Sequence, residues 1–155
     1  MKTVLNQFNM TVEAKSINEG FVRSAVAAFC TQVNPTIEEI GDIKTAVSEA
    51  VTNCIVHGYK NKQKGDIVVT VKLFDDNTSE ISIQDFGVGI VDVNKAMQTF
   101  FTTCKTEERS GMGFTVMAAF TDDLKVTSNP GEGTLVKMTK IFGYSDGEEQ
   151  DGIRS

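Results

Sequence analysis

The stretch from Ile67 to Ile83 constrains the fold most. Ile67, Val69, Val71 and Leu73 alternate strictly, Asp75-Asp76-Asn77-Thr78 turns the chain, and a second strand runs through Ile81 and Ile83. A period of two with apolar residues on one parity requires a sheet with one covered face. A closing hairpin is predicted from Leu124–Ser128 and Thr134–Ile141 across Asn129-Pro130-Gly131-Glu132-Gly133. Val4, Phe8, Met10 and Val12 fall on one parity, with Asn6 the exception, and give a first strand.

Helices must supply the cover. Ser16-Ile17-Asn18-Glu19 has the form of a capping box, followed by Phe21, Val22, Ala25, Val26, Ala28, Phe29 and Val33 as an apolar stripe that Asn34-Pro35 stops. Thr36-Ile37-Glu38-Glu39 opens a longer helix, with Ile40, Ile43, Val47, Ala50, Val51, Cys54 and Ile55 inward and Gly58 just past its end. A short helix is predicted from Val93 to Phe100, and another from Phe114, Val116, Met117 and Phe120. Five strands in hairpins and four helices give an α+β fold: a two-layer sandwich, its sheet mixed but mostly antiparallel, with helices on one face.

At 155 residues the chain is long enough to bury a core without disulfides. We expect one domain over residues 1–142 and a disordered acidic tail over 143–155, where Asp146, Glu148, Glu149 and Asp151 stand against Arg154. A net charge of -6 argues against direct nucleic-acid binding, which needs a basic face. No apolar run approaches the roughly 20 residues that span a bilayer, and Met1–Asn6 does not resemble a signal peptide. Cys30, Cys54 and Cys104 are odd in number and lack metal-site spacing, and Cys30 and Cys54 read as buried fillers. A cytoplasmic protein is the expectation.

Three features carry candidate chemistry. Glu49 and Asn53 are four apart, so both project from one face of the second long helix. A carboxylate there can accept a proton, and an amide oxygen suits Mg²⁺. Asp85-Phe86-Gly87-Val88-Gly89-Ile90 ends a strand, where a carboxylate can accept from an exocyclic amino group and glycines admit a flat ligand. Arg109-Ser110-Gly111-Met112-Gly113-Phe114 lies at the mouth of a predicted helix, whose free N–H groups suit an anion. Taken singly, each also fits a plainer account: a solvated face, an Asp/Gly turn, a loop entering a helix.

Taken together they resemble the GHKL (Bergerat) ATP-binding superfamily, which groups gyrase-type and chaperone ATPases with histidine kinases. Glu49-x-x-x-Asn53 matches its N box, Asp85-x-Gly87-x-Gly89 and Gly111-x-Gly113 its glycine boxes, and Gly133-Thr134 its late Gly-Thr pair, in family order. Ser48–Asn53, His57-Gly58-Tyr59, Phe101-Thr102-Thr103 and Arg109–Phe114 narrow the resemblance to the small serine kinases that act as anti-sigma factors, those of sporulation above all.

The resemblance implies a homodimer that sequesters a sigma factor of the sigma F type. It also implies use of ATP and Mg²⁺ to phosphorylate a serine of an anti-anti-sigma antagonist. Glu49 would be the general base, Asn53 the Mg²⁺ ligand and Asp85 the adenine acceptor, supported by Thr134. Gly87, Gly89 and Ile90 would shape the base pocket, and Ser110, Gly111, Met112 and Gly113 would close on the phosphates. Residues 102–110 would form a lid, Arg109 stabilising γ-phosphate charge. Lys105 either reaches a phosphate or is solvated, and Cys104 stands in a loop that lacks the proline of relatives. Arg23 aligns with a partner-docking arginine, though a solvated surface residue fits it equally. The sole histidine, His57, is expected to be structural rather than a phosphoacceptor. A general-stress kinase of the sigma B type and an ATP-gated sigma clamp without essential kinase activity remain alternatives.

Overall fold

In the computed structural model, residues 2–62, 64–97 and 108–143 are described, those from 108 to 112 by their backbone alone. The strands are β1 (Val4–Glu13), β2 (Asp66–Phe74), β3 (Thr78–Asp85), β4 (Asp123–Asn129) and β5 (Gly133–Ile141). The helices are α1 (Ile17–Cys30), α2 (Ile37–Asn53), α3 (Val93–Met97) and α4 (Glu108–Ala119). The sheet runs β1-β2-β3-β5-β4, and all four of these pairings are antiparallel. No parallel pair occurs among the described residues, which tightens the expected mixed sheet to an antiparallel one.

The alternation read from sequence places Ile67, Val69, Val71, Leu73, Ile81, Ile83, Val136 and Met138 in one buried cluster. Val22, Val26, Cys30, Ile43, Ala46, Val47, Ala50 and Val51 meet them from α1 and α2. Phe114 and Met117, three apart on α4, complete the cover. Phe8 stands edge-on to Phe29, with ring centroids 4.6 Å apart, and pins β1 to α1. Lys140, also buried, is neutralised by Asp42 at 3.0 Å and donates to the Phe120 carbonyl.

The two candidate capping boxes behave differently. Thr36 accepts from the Glu39 N–H while Glu39 accepts from the Thr36 N–H, a complete box that starts α2. Ser16 makes no side-chain cap: its backbone is already helical and the Glu19 N–H donates to its carbonyl, while the Glu19 carboxylate accepts hydrogen bonds from Arg23 and Ser48. α1 stops earlier than expected, at Cys30, and continues as a single 3₁₀ turn to Val33, with Asn34 left-handed at φ 54°. The glycines of the second glycine box also lie differently: α4 begins at Glu108, so Gly111 and Gly113 fall inside the helix rather than before it.

Candidate nucleotide site

The site is organised by the end of α2. Glu49 and Asn53, one turn apart and half-buried, occupy its last part. Beyond Asn53 the helix widens into a π-turn, Cys54–Gly58, closed by the Tyr59 N–H on the Cys54 carbonyl at 2.8 Å. Such turns are frequent at functional positions, because they displace backbone toward a ligand or partner strand. Here the partner is the loop that leaves β3. The Val88 N–H donates to the Gly58 carbonyl at 2.9 Å, and the Phe86 N–H donates to the Tyr59 hydroxyl, which donates to the Asp66 carbonyl.

Asp85 ends β3 and is buried, 3% exposed. Its carboxylate accepts from the Gly87 N–H at 2.9 Å. Burial outweighs that bond and the smaller lowering effects of Cys54 and the Thr134 backbone, and holds its pKa above the ordinary aspartate range. Thr134 is its Cα partner across β3 and β5. The Thr134 hydroxyl shares a 2.8 Å hydrogen bond with Ser128, which also accepts from the Ile90 N–H and donates to the Gly133 carbonyl. Ser128 thus ties the first glycine box to the Gly-Thr pair. No motif spacing marks it, although its register opposite Thr134 follows from the hairpin turn.

The glycines are required by close backbone approach. A Cβ at Gly87 would lie 2.0 Å from the Gly58 carbonyl oxygen, and one at Gly133 would lie 2.1 Å from the Asp85 carbonyl oxygen. A Cβ at Gly58 would meet the Asp85 carboxylate at 2.7 Å. By contrast, Gly41 within α2 has nothing within 4 Å of its missing Cβ. Gly87→Ala is therefore expected to lower stability by about 1–3 kcal/mol, and Gly41→Ala to raise it by roughly 0.5–1 kcal/mol. Thermal melts of the two variants beside the parent chain check both signs.

Gly113 faces Asn53: a Cβ there would sit 3.0 Å from its Oδ1 and 3.1 Å from its Nδ2. The absent side chain leaves the amide oxygen approachable, as a Mg²⁺ ligand must be. Among the described residues no group of three or more His, Cys, Asp or Glu could hold a metal. A divalent ion here would draw most of its shell from nucleotide phosphates and water, the usual habit of Mg²⁺.

The matches to known proteins agree with this arrangement. Residues 12–140 match the family model of the histidine kinase-like ATPase domain. An anti-sigma F factor of Thermoanaerobacter sp. (strain X514) is 57% identical over 139 residues, covering 89% of this chain and 95% of that protein. The chain belongs to the anti-sigma F factor family. A Bacillus licheniformis anti-sigma F factor is 48% identical, over 90% of this chain and 95% of its own length. Among solved structures, the RsbU and RsbW domains of a Mycobacterium tuberculosis protein superpose with a TM-score of 0.65. That match has 20% identity and covers 90% of this chain and 33% of the other, which supports the fold alone.

Asp85, Gly87, Gly89, Ile90 and Thr134 come together around the β3 loop, and Asn53 meets Gly113 beside them. Arg109, Ser110, Gly111 and Met112 lie in the first part of α4, which carries the helix's unpaired N–H groups. Lys105 and most of the expected lid lie outside the described residues, as do Cys104 and the tail from 144 onward. Arg23 is engaged within the chain: one guanidinium nitrogen lies 3.0 Å from Glu19 and 3.2 Å from the Ser48 hydroxyl. Its side chain is still 40% exposed, so it bridges α1 to the residue before Glu49 without being sequestered. Cys30 and Cys54 are buried free thiols, and burial pushes Cys30 up to about 12. No helix among the described residues is long and apolar enough to cross a membrane.

Proposed function

We propose that this chain is a cytoplasmic, homodimeric anti-sigma factor that sequesters a sporulation sigma factor of the sigma F type. In the same reading it is a serine kinase, transferring the γ-phosphoryl group of ATP to a serine of its anti-anti-sigma antagonist. The observation that carries this reading is the buried Asp85 acceptor, walled by glycine backbone and joined by the π-turn to Glu49 and Asn53. It stands in a chain 57% identical to an anti-sigma F factor over 139 residues.

The serine hydroxyl oxygen attacks the γ-phosphorus as its proton passes to Glu49. The bond to the β,γ-bridging oxygen breaks, and ADP leaves. Bound Mg²⁺ would neutralise phosphate charge from beside Asn53. Asp85 orients the purine, the glycine-lined wall excludes water from it, and the α4 N-terminus and Arg109 would stabilise developing negative charge. Arg23 belongs to the partner-docking face.

Incubation with γ-labelled ATP, Mg²⁺ and the anti-anti-sigma protein is expected to leave label on one serine. Nucleotide-dependent capture of a sigma factor with no covalent label would reduce the protein to a clamp.

A further inference from the structure

At one end of the sheet the covered face turns from apolar to polar within a single row. Ile83 is paired with Val136, and Val136 with Val126; two residues on, Asp85 is paired with Thr134, and Thr134 with Ser128. Direct partners share a sheet face, and residues two apart keep it. The row Asp85–Thr134–Ser128 therefore continues the face to which Ile83 and Val136 contribute buried core.

Proton accounting fixes the direction of every bond at Ser128. A serine hydroxyl carries one proton and two lone pairs. The Gly133 carbonyl can only accept, so the Ser128 proton goes there, at 2.8 Å. The Ile90 N–H occupies one lone pair, also at 2.8 Å. The 2.8 Å contact with Thr134 can then be made in one sense only, Thr134 donating into the second lone pair. Ser128 is saturated, and the sole hydroxyl proton of Thr134 is committed to it. What remains of the Thr134 hydroxyl can only accept.

We propose that Ser128 is a positioning residue for base selection, holding Thr134 as a pure acceptor beside Asp85. A 6-aminopurine presents a donor to such a pair, whereas a 6-oxopurine presents a third acceptor. This rests on the reading of Asp85 as the adenine acceptor and adds the residue that keeps its neighbour in the same sense. The Ser128 oxygen that orders Thr134 also holds Ile90, so the first glycine box is anchored to the same atom.

The test compares ATP with inosine triphosphate, which has a carbonyl oxygen in place of the amino group, by calorimetric titration of the full chain with Mg²⁺ present. The parent chain is expected to prefer ATP. Ser128→Ala releases the Thr134 proton toward the 6-oxo group, and the preference falls roughly threefold to tenfold, the worth of one modest hydrogen bond. Loss of the Ile90 anchor weakens both nucleotides alike and cancels in the ratio. Ser128→Thr keeps the hydroxyl, on a strand that favours β-branched residues, and keeps the preference. On a Thr134→Val background, Ser128→Ala leaves the ratio where the first substitution put it, because the effect passes through Thr134. An ATP preference untouched by Ser128→Ala, whatever happens to the separate affinities, would overturn the proposal. So would a preference lost equally in Ser128→Thr, or a further change of ratio on the Thr134→Val background. A parent chain that binds the two nucleotides equally would instead remove the adenine role of Asp85, and the proposal with it.

Discussion

Asp85→Asn binds ATP about a hundredfold more weakly than the parent chain, while folding at least as well at neutral pH. The size follows from a charge-assisted hydrogen bond worth roughly 1.5–3 kcal/mol. The Gly87 N–H donates to one carboxylate oxygen, so it holds the asparagine oxygen and turns the NH₂ the other way. The ligand's amino group then meets a donor where it needs an acceptor. Stability moves the other way because burial raises the pKa of the native carboxyl. A group of this kind binds protons in the folded state that the unfolded chain releases. Its contribution is therefore most favourable below the unfolded aspartate pKa and is lost as pH rises through the folded value. Asparagine removes that penalty. The same shift predicts a pH profile for the parent: ATP affinity falls on acidification, with a midpoint above that of an ordinary aspartate. Titrations across acidic pH, with melting curves of both proteins, check all three statements. Asp85→Asn binding ATP like the parent would end the assignment of the purine pocket.

Much of this was legible because it is local. Strands with period two, such as Ile67–Leu73, declare their buried face in any sequence that lays them on helices, and the Thr36 box starts α2 where its residues stand. Ser16 carries the same signature and fails: its backbone is already helical, the Glu19 N–H donates to the Ser16 carbonyl, and the Glu19 carboxylate is taken by Arg23 on α1 and by Ser48 on α2. The Ser48 contact is tertiary and leaves no trace in the local pattern. The candidate site divides in the same way. Asp85, Asn53 and their glycines stand out through the motif spacing, but the reason for Gly87 is a carbonyl at Gly58, and the reason for Gly58 is Asp85 itself. Cys30 and Cys54 read as buried fillers from their apolar neighbours, and both are buried free thiols. Ser128 is invisible until the β4–β5 register places it beside Thr134.

Glu49→Gln is the second large effect, and it separates chemistry from binding. Glu49 stands one helical turn before Asn53 on α2, so a metal held at Asn53 would bring the γ-phosphate beside the carboxylate. Glutamine keeps the shape and most hydrogen-bonding capacity but cannot take the proton of the attacking serine. General-base catalysis is typically worth about 10²–10⁴-fold, and transfer to the antagonist is expected to fall by that factor. ATP affinity should stay within about threefold, because the purine end is held by Asp85 and proton transfer to Glu49 begins only in the transition state, after the nucleotide is bound. Arg23 sharpens the comparison. Its guanidinium bonds Ser48, the neighbour of Glu49, so a protein docking on Arg23 would pull on the same turn of helix that carries the base. A Glu49→Gln protein that still captures its sigma factor with ATP bound, yet leaves the antagonist unlabelled, places the carboxylate in proton transfer. Labelling at the parent rate would leave positioning and metal charge as the whole of the catalysis, and Glu49 as an ordinary half-buried helix residue.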